Sequence, residues 1–211
     1  MWPRAYSGSG PVDFDLYQQI NGFSLHHDWF EDLNSFLAMQ GHLFFIALLA
    51  ALFLGRGKFA SRRARHGVIA AGLAAALALA VAHGITMLWE RPRPYIAHPN
   101  DAHLFIPASS DSSFPSDHAT AAFAIAVSLF LRGPRVGLVA IAMAAGLAFS
   151  RVAVGIHYPS DVVAGAMIGT AVALLLWLPP MRARLHRLAD WAGSLYERLV
   201  DVALRPLLIG R

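Results

Sequence analysis

Long runs without charge, separated by short arginine clusters, constrain this chain more than any other feature. Residues 33–55 and 67–89 contain no Asp, Glu, Lys or Arg. About 20 residues at 1.5 Å each cross the hydrocarbon layer of a bilayer. Hydrophobic residues make up 56% of the 211 residues, charged residues 14%, and the mean hydropathy is +0.49. We therefore expect an all-α, polytopic membrane bundle that forms one domain over residues 1–211.

The basic clusters predict how the helices cross the membrane. Residues 56–66 carry five Lys or Arg and no acid, which is typical of a cytoplasmic loop. Further apolar segments occupy residues 119–131, 136–149 and 159–178, and arginines follow the first and the last of them. The alternation predicts five spans with the N-terminus outside.

The two ends of the chain are less apolar. Residues 1–11 are rich in Gly, Ser and Pro, and we expect them to be disordered. In residues 12–32 apolar side chains recur at helical spacing, which favours an interfacial helix over a frayed segment. Residues 184–206 are amphipathic and predict a second interfacial helix, on the cytoplasmic leaflet.

Three charged segments fall on one predicted face of the membrane. Residues 90–93, 116–118 and 151–161 all follow or precede spans at the extracytoplasmic end. The predicted topology therefore allows all three to form one site.

The third segment, SRVAVGIHYPSD at residues 150–161, carries the clearest chemistry. His157 and Asp161 are four residues apart, and Pro159 suits the first turn of a helix. Asp161 can reach back to one ring nitrogen of His157 and leave the other free as base or nucleophile. A lone histidine at a helix end is usually structural. Arg151 weakens that interpretation, because an arginine at membrane depth costs about 2.5 kcal/mol or more.

The second segment, Pro115 to His118, opens an apolar run. Ser116 is a suitable N-cap, and the free N–H groups of a helix N-terminus attract anions. His118 could donate a proton beside such an anion. Many helices begin with Pro-Ser-Asp, so this motif is informative only together with the others.

The first segment reads Glu-Arg-Pro-Arg-Pro from residue 90. Its prolines stiffen the backbone, and Arg91 and Arg93 can bind phosphate through two hydrogen bonds each. The alternative is that both arginines extend to lipid phosphates. Three segments that bring arginine, histidine and a helix N-terminus to one face favour phosphoryl chemistry.

Other ligand classes are disfavoured. The pI is about 10, but the basic residues lie between apolar runs and do not form a nucleic-acid-binding face. The chain has no cysteine, its acids are dispersed, and no histidine pair has a neighbouring Glu. We expect no metal and no other cofactor.

These motifs resemble the type 2 phosphatidic acid phosphatase superfamily. The matching residues, in order, are Arg93-Pro94, Pro115-Ser116-Asp117-His118, and Ser150-Arg151 through His157 to Asp161. The resemblance implies that His157 is a nucleophile that becomes phosphorylated and that Asp161 orients it. It also implies that His118 protonates the leaving group. Arg93, Ser116 and Arg151 would hold the phosphate oxygens.

Two positions depart from the family pattern. Thr86 stands where the family usually has a lysine, and Asp117 stands where glycine is common. We include Thr86 and Asp117 among the candidate substrate-binding residues, with Arg91 as a candidate replacement for the lysine. These departures, with YQQING at residues 17–22 and the loop at residues 106–118, resemble the bacitracin-resistance subgroup of undecaprenyl-diphosphatases.

The resemblance implies an enzyme of the bacterial inner membrane that acts at the extracytoplasmic face. It would remove the terminal phosphate of undecaprenyl diphosphate and so return the carrier lipid to cell-wall synthesis. A second hypothesis keeps the chemistry but changes the lipid to phosphatidylglycerophosphate, phosphatidate or a lipid A phosphate. A third is a lipid-binding or transport protein without catalysis, which would not need His157 and Asp161 in addition to the arginines.

Overall fold

A computed structural model describes residues 10–54 and 62–209, and the regular structure in these ranges is helical. The segment predicted to be disordered, residues 1–11, lies almost entirely outside them. The helices are α1 (Pro11–Leu25), α2 (Asp28–Leu54), α3 (Arg62–Leu88), α4 (Pro94–Ala97), α5 (Asp117–Phe130), α6 (Pro134–Ala153), α7 (Pro159–Trp177) and α8 (Pro179–Ile209). The all-helical prediction is confirmed.

Four helices, α2, α3, α6 and α7, are long and apolar enough to cross a membrane. The protein is therefore a multi-pass membrane protein. The fifth predicted span, α5, is an apolar helix of only 14 residues and is shorter than the other four. At 1.5 Å per residue it is roughly 21 Å long, against a hydrocarbon layer of about 30 Å.

The short helix α5 lies at the centre of the bundle, between α3, α6 and α7. Its buried face consists largely of alanine, so neighbouring backbones approach closely. Gly169 of α7 makes one of the close approaches, since a Cβ there would overlap the carbonyl oxygen of Thr120. Helices α5 and α7 run parallel, whereas α6 returns antiparallel after a turn at residues 131–133.

The N-terminus of α5 lies inside the bundle, deeper than the start of α7. Gly165 faces the carbonyl oxygen of Ser116, the residue immediately before α5. Gly165 lies six residues after Pro159, the start of α7, so Ser116 is roughly 9 Å deeper than the start of α7. This depth explains the length of α5: the chain enters the bundle before the helix begins.

Helix α1 is fastened to the same end of the bundle by polar side chains. Asn21 donates from Nδ2 to the carbonyl oxygens of His103 and Ala153, both at 2.9 Å, and accepts from the His103 amide at 2.9 Å. The Ser24 hydroxyl also donates to the Ala153 carbonyl. Tyr17 is fully buried.

The sequence predicted one helix over residues 12–32. The structure has two helices there, since α1 ends at Leu25 and α2 begins at Asp28.

Helix α8 lies at the opposite end, against the start of α3, where His66 Nε2 is 2.7 Å from Asp190 Oδ1. The predicted C-terminal helix is present but begins earlier, at Pro179 instead of residue 184. Proline fits the first turn of a helix because the N–H groups there have no helical partner. Helix α6 is also longer than the predicted segment, residues 136–149, since it runs to Ala153 and includes Ser150 and Arg151.

We predict that Gly169→Ala destabilises the protein, although alanine is the better helix former. Its Cβ would press on the Thr120 carbonyl, and overpacking of this kind costs about 1–3 kcal/mol. The matched control is Gly146→Ala in α6, where a Cβ meets nothing within 4 Å. Thermal unfolding in detergent should show a lower Tm for Gly169→Ala only. An equal Tm for both variants would contradict close α5–α7 packing.

Candidate active site

His157 lies in the short connection between α6 and α7 and is buried, with 2% of its surface exposed. Its Nδ1 is 2.8 Å from the carbonyl oxygen of Ser113. A carbonyl can only accept, so this contact places the ring proton on Nδ1 and leaves the lone pair on Nε2. Burial lowers the pKa of His157, and the opposing effect of Asp161 is smaller. A neutral imidazole with a free Nε2 is a competent nucleophile.

Asp161, in the first turn of α7, is completely buried. Its carboxylate accepts from the Ser113 hydroxyl at 2.5 Å, the Tyr158 amide at 2.8 Å and Arg91 Nη1 at 2.5 Å. His157 Nδ1 is 3.6 Å from Asp161 Oδ2, which is longer than a hydrogen bond. The sequence predicted that Asp161 holds His157 directly. In the structure Ser113 stands between them, with its carbonyl on His157 and its hydroxyl on Asp161.

Arg91 supports Asp161 from the other side. Its Nη1 donates to Asp161 and to the Ser160 hydroxyl, and its Nη2 donates to Asp13 Oδ2 at 2.7 Å. The guanidinium also lies 4.0 Å from the centre of the Tyr158 ring. The structure therefore revises the role suggested for Arg91. It is bonded to two carboxylates and does not present its terminal nitrogens to a phosphate.

Arg93 lies at the start of α4 and is also buried. It donates from Nη1 to the Ile156 carbonyl at 2.9 Å and from Nη2 to Asp111 Oδ1 at 3.0 Å. Burial raises the pKa of Asp111, but the Ser109 hydroxyl and Arg93 together outweigh it and lower the pKa overall. Asp111 is therefore ionised beside Arg93, and this exposed carboxylate occupies a position where another anion could replace it.

Three buried donors of the site lack hydrogen-bond partners among the described residues. They are the Ser116 hydroxyl, Arg151 Nε and Arg91 Nε. Arg151 is anchored by a hydrogen bond from Nη1 to the Ala38 carbonyl, 2.9 Å away. Leaving a buried donor without a partner costs about 1–3 kcal/mol. Because the N-terminus of α5 lies beside Ser116, the Ser116 hydroxyl and Arg151 offer donors suited to an anion, and we call this part of the site the anion pocket.

His118, the second residue of α5, lies where this pocket meets an apolar cavity. The cavity has a volume of about 380 Å³ between α2, α3, α5 and α6. His118 and Asp117 line it at the polar end, whereas Phe45, Leu49 and Ile125 are among the apolar residues that line the rest. Its position beside both the anion pocket and an apolar space suits His118 to proton transfer between a phosphate and a lipid.

Thr86 stands at the position of the family lysine and carries no charge. Its hydroxyl donates to the Phe114 carbonyl at 3.0 Å and thereby supports the loop that precedes α5.

In residues 10–54 and 62–209 no three His, Asp or Glu side chains are grouped to hold a metal ion.

The sequence analysis missed several residues of this network, among them Asp13, Ser113 and Tyr158. Ser113 lies in a run of serines at residues 109–113, so its sequence context did not distinguish it. Asp13 is 78 residues before Arg91. Burial is the signal that separates these residues from their neighbours, and a single sequence does not reveal it for loop positions.

Comparison with known proteins agrees with this geometry. The PAP2 superfamily model matches residues 67–184. Undecaprenyl-diphosphatase BcrC of Bacillus subtilis (strain 168) is 27% identical over 190 residues, which cover 90% of this chain and 94% of that protein. Putative undecaprenyl-diphosphatase YbjG of Escherichia coli (strain K12) is 30% identical and covers 85% of this chain and 90% of that protein. The crystal structure of Aquifex aeolicus LpxE has a TM-score of 0.66 at 25% identity, with 79% and 95% coverage.

The chain therefore belongs to the PAP2 superfamily, and the resemblance stated from its three motifs is confirmed. It is a membrane lipid phosphatase with several membrane-spanning helices. Over most of its length its sequence is similar to the undecaprenyl-diphosphatases of two bacteria.

We predict that Arg91→Lys lowers kcat roughly 10–100-fold, because small displacements of catalytic groups have effects of this size. Lysine keeps the charge but cannot bind Asp13 and Asp161 together as the planar guanidinium does. The KM should stay the same, since Arg91 does not line the anion pocket. The control is Arg135→Lys, an exposed position at the far end of the bundle. A raised KM with unchanged kcat would show that Arg91 binds substrate after all.

Proposed function

We propose that this protein hydrolyses undecaprenyl diphosphate to undecaprenyl phosphate and phosphate. The observation that carries the proposal is a buried histidine with a free Nε2, His157, close to an anion pocket that opens onto an apolar cavity. The two relatives named as undecaprenyl-diphosphatases, each similar along most of this chain, support the choice of lipid.

In the first step, His157 Nε2 attacks the terminal phosphorus. A P–N bond forms, the bond to the bridging oxygen breaks, and His118 gives that oxygen a proton as undecaprenyl phosphate leaves. Arg93, Arg151, Ser116 and the N-terminus of α5 stabilise charge on the oxygens of the transferred group. Such fixed donors provide most of the catalysis in phosphoryl transfer.

In the second step, water attacks the phosphohistidine. His118, now without its proton, accepts one from the water, and phosphate leaves as the P–N bond breaks. Ser113 and Asp161 keep His157 in one tautomer and one orientation through both steps, and Arg91 holds Asp161. Asp117 lies at the mouth of the cavity beside His118 and borders the substrate.

We place the protein in the bacterial inner membrane as one domain, with the site at the extracytoplasmic face. Arg65, near the start of α3, and Arg132 lie at the end of the bundle away from the site. Basic clusters of this kind remain in the cytoplasm. The substrate would then be consumed on the outer leaflet.

We predict that initial phosphate release is fastest with undecaprenyl diphosphate in a panel that includes phosphatidylglycerophosphate, phosphatidate and a lipid A phosphate. The apolar cavity accepts a long chain but has few groups to bind a larger head group. The same panel with a chelator should give unchanged rates, because the mechanism uses only protein side chains. Faster release from another lipid would refute the substrate, and loss of activity to the chelator would refute the metal-free mechanism.

We predict that brief reaction with undecaprenyl diphosphate labelled in its terminal phosphate leaves label on the protein. The label should be acid-labile and base-stable, as a phosphohistidine is. His157→Ala should carry no label and release no phosphate, since the nucleophile is lost. His26→Ala, at an exposed histidine directly after α1, is the control and should match the wild type. Near wild-type release by His157→Ala would overturn the mechanism.

A further inference from the structure

A histidine that the mechanism does not use, His42, lies inside a membrane-spanning helix. It belongs to α2, is exposed, and lines the apolar cavity. Its ring centre is 6.2 Å from that of His118, at an interplanar angle of 78°. Among the described residues its imidazole has no hydrogen-bond partner. Ionisable side chains in membrane spans are rare and usually line substrate paths, so His42 requires an explanation.

The register of α2 fixes the position of His42 relative to the anion pocket. Ala38, whose carbonyl accepts the hydrogen bond from Arg151, is four residues before His42 and on the same face of the helix. Four residues advance a helix by roughly 6 Å. His42 therefore lies one turn deeper than the contact of Arg151. From the pocket toward the apolar cavity, the order is Arg151, His118, His42.

That order matches the order of groups in a lipid diphosphate. The terminal phosphate meets Arg151, the bridging oxygen meets His118, and the next group toward the chain is the second phosphate. We infer that His42 binds this lipid-side phosphate and makes the site selective for diphosphates. The inference rests on the proposed function and adds a second phosphate subsite to it.

The spacing of the two rings fits a shared phosphate. At 6.2 Å between centres His42 and His118 are too far apart for a direct bond. A phosphate oxygen between them can accept an N–H from each, since each such bond is about 2.8 Å long. A lipid monophosphate can place its single phosphate at His42, but to be hydrolysed it would have to move that phosphate into the Arg151 pocket, which leaves His42 against the chain without an acceptor. Contact between the polar imidazole of His42 and an apolar lipid chain is unfavourable, and this adds to the preference for diphosphates over monophosphates.

The two products of the reaction test the two subsites separately. Undecaprenyl phosphate should inhibit by placing its phosphate at His42, whereas inorganic phosphate should inhibit at the Arg151 pocket. With undecaprenyl diphosphate as substrate, we expect His42→Ala to raise the Ki of undecaprenyl phosphate about tenfold, the effect of losing a charged hydrogen bond. The Ki of inorganic phosphate should not change, which also shows that the pocket is folded. His42→Gln, which keeps an N–H donor, should recover part of the affinity.

The matched control is His83→Ala, an exposed histidine of α3 that does not line the cavity. It should leave both Ki values unchanged. An unchanged Ki for undecaprenyl phosphate in His42→Ala, or an equal rise for both inhibitors, would overturn the inference while hydrolysis of the diphosphate by the wild type keeps the proposed function. If the wild type releases no phosphate from the diphosphate, the proposed function fails, and the inference fails with it.

Discussion

The buried carboxylate of Asp161 is the group on which the rest of the site depends. It has no exposed surface and accepts hydrogen bonds from Arg91, Ser113 and its own helix N-terminus. A charge in such surroundings is very unfavourable unless each of its oxygens is satisfied. Each partner comes from a different part of the chain, so satisfying this one group fixes the segment before α4, the loop before α5 and the start of α7 relative to one another. The orientation of His157 follows, because Ser113 contacts both residues.

The sequence predicted the convergence of the three charged segments but not the contacts that join them. Alternation of apolar runs and arginine clusters was enough to place Arg93, His118 and His157 at one end of a bundle. The sequence did not predict the connection through Ser113. Tertiary packing decides which of the several serines in this loop turns inward. The short length of α5 was not predicted for a related reason: the helix begins inside the bundle, and hydropathy does not show where a chain enters.

The contacts of Thr86 show what this residue does at the position of the family lysine. Thr86 uses its hydroxyl to support the Phe114 carbonyl, next to the residues that carry the anion pocket. Positive charge near that pocket comes from Arg93 and Arg151, while Arg91 offsets Asp161 and Asp13. The spacing of residues 91–93 did not reveal that Arg91 pairs with Asp13 and Asp161 whereas Arg93 pairs with Asp111.

The polar attachment of α1 changes what counts as the functional unit of this protein. The superfamily match begins at residue 67, yet Asp13 bonds Arg91, Asn21 joins two loops, and the Ala38 carbonyl anchors Arg151. These three contacts come from the first fifth of the chain and end on residues at or next to the reacting groups. Variation in the N-terminal region can therefore alter catalysis without any change in the three motifs. Relatives that share the motifs but differ before residue 67 need not share rates or substrates.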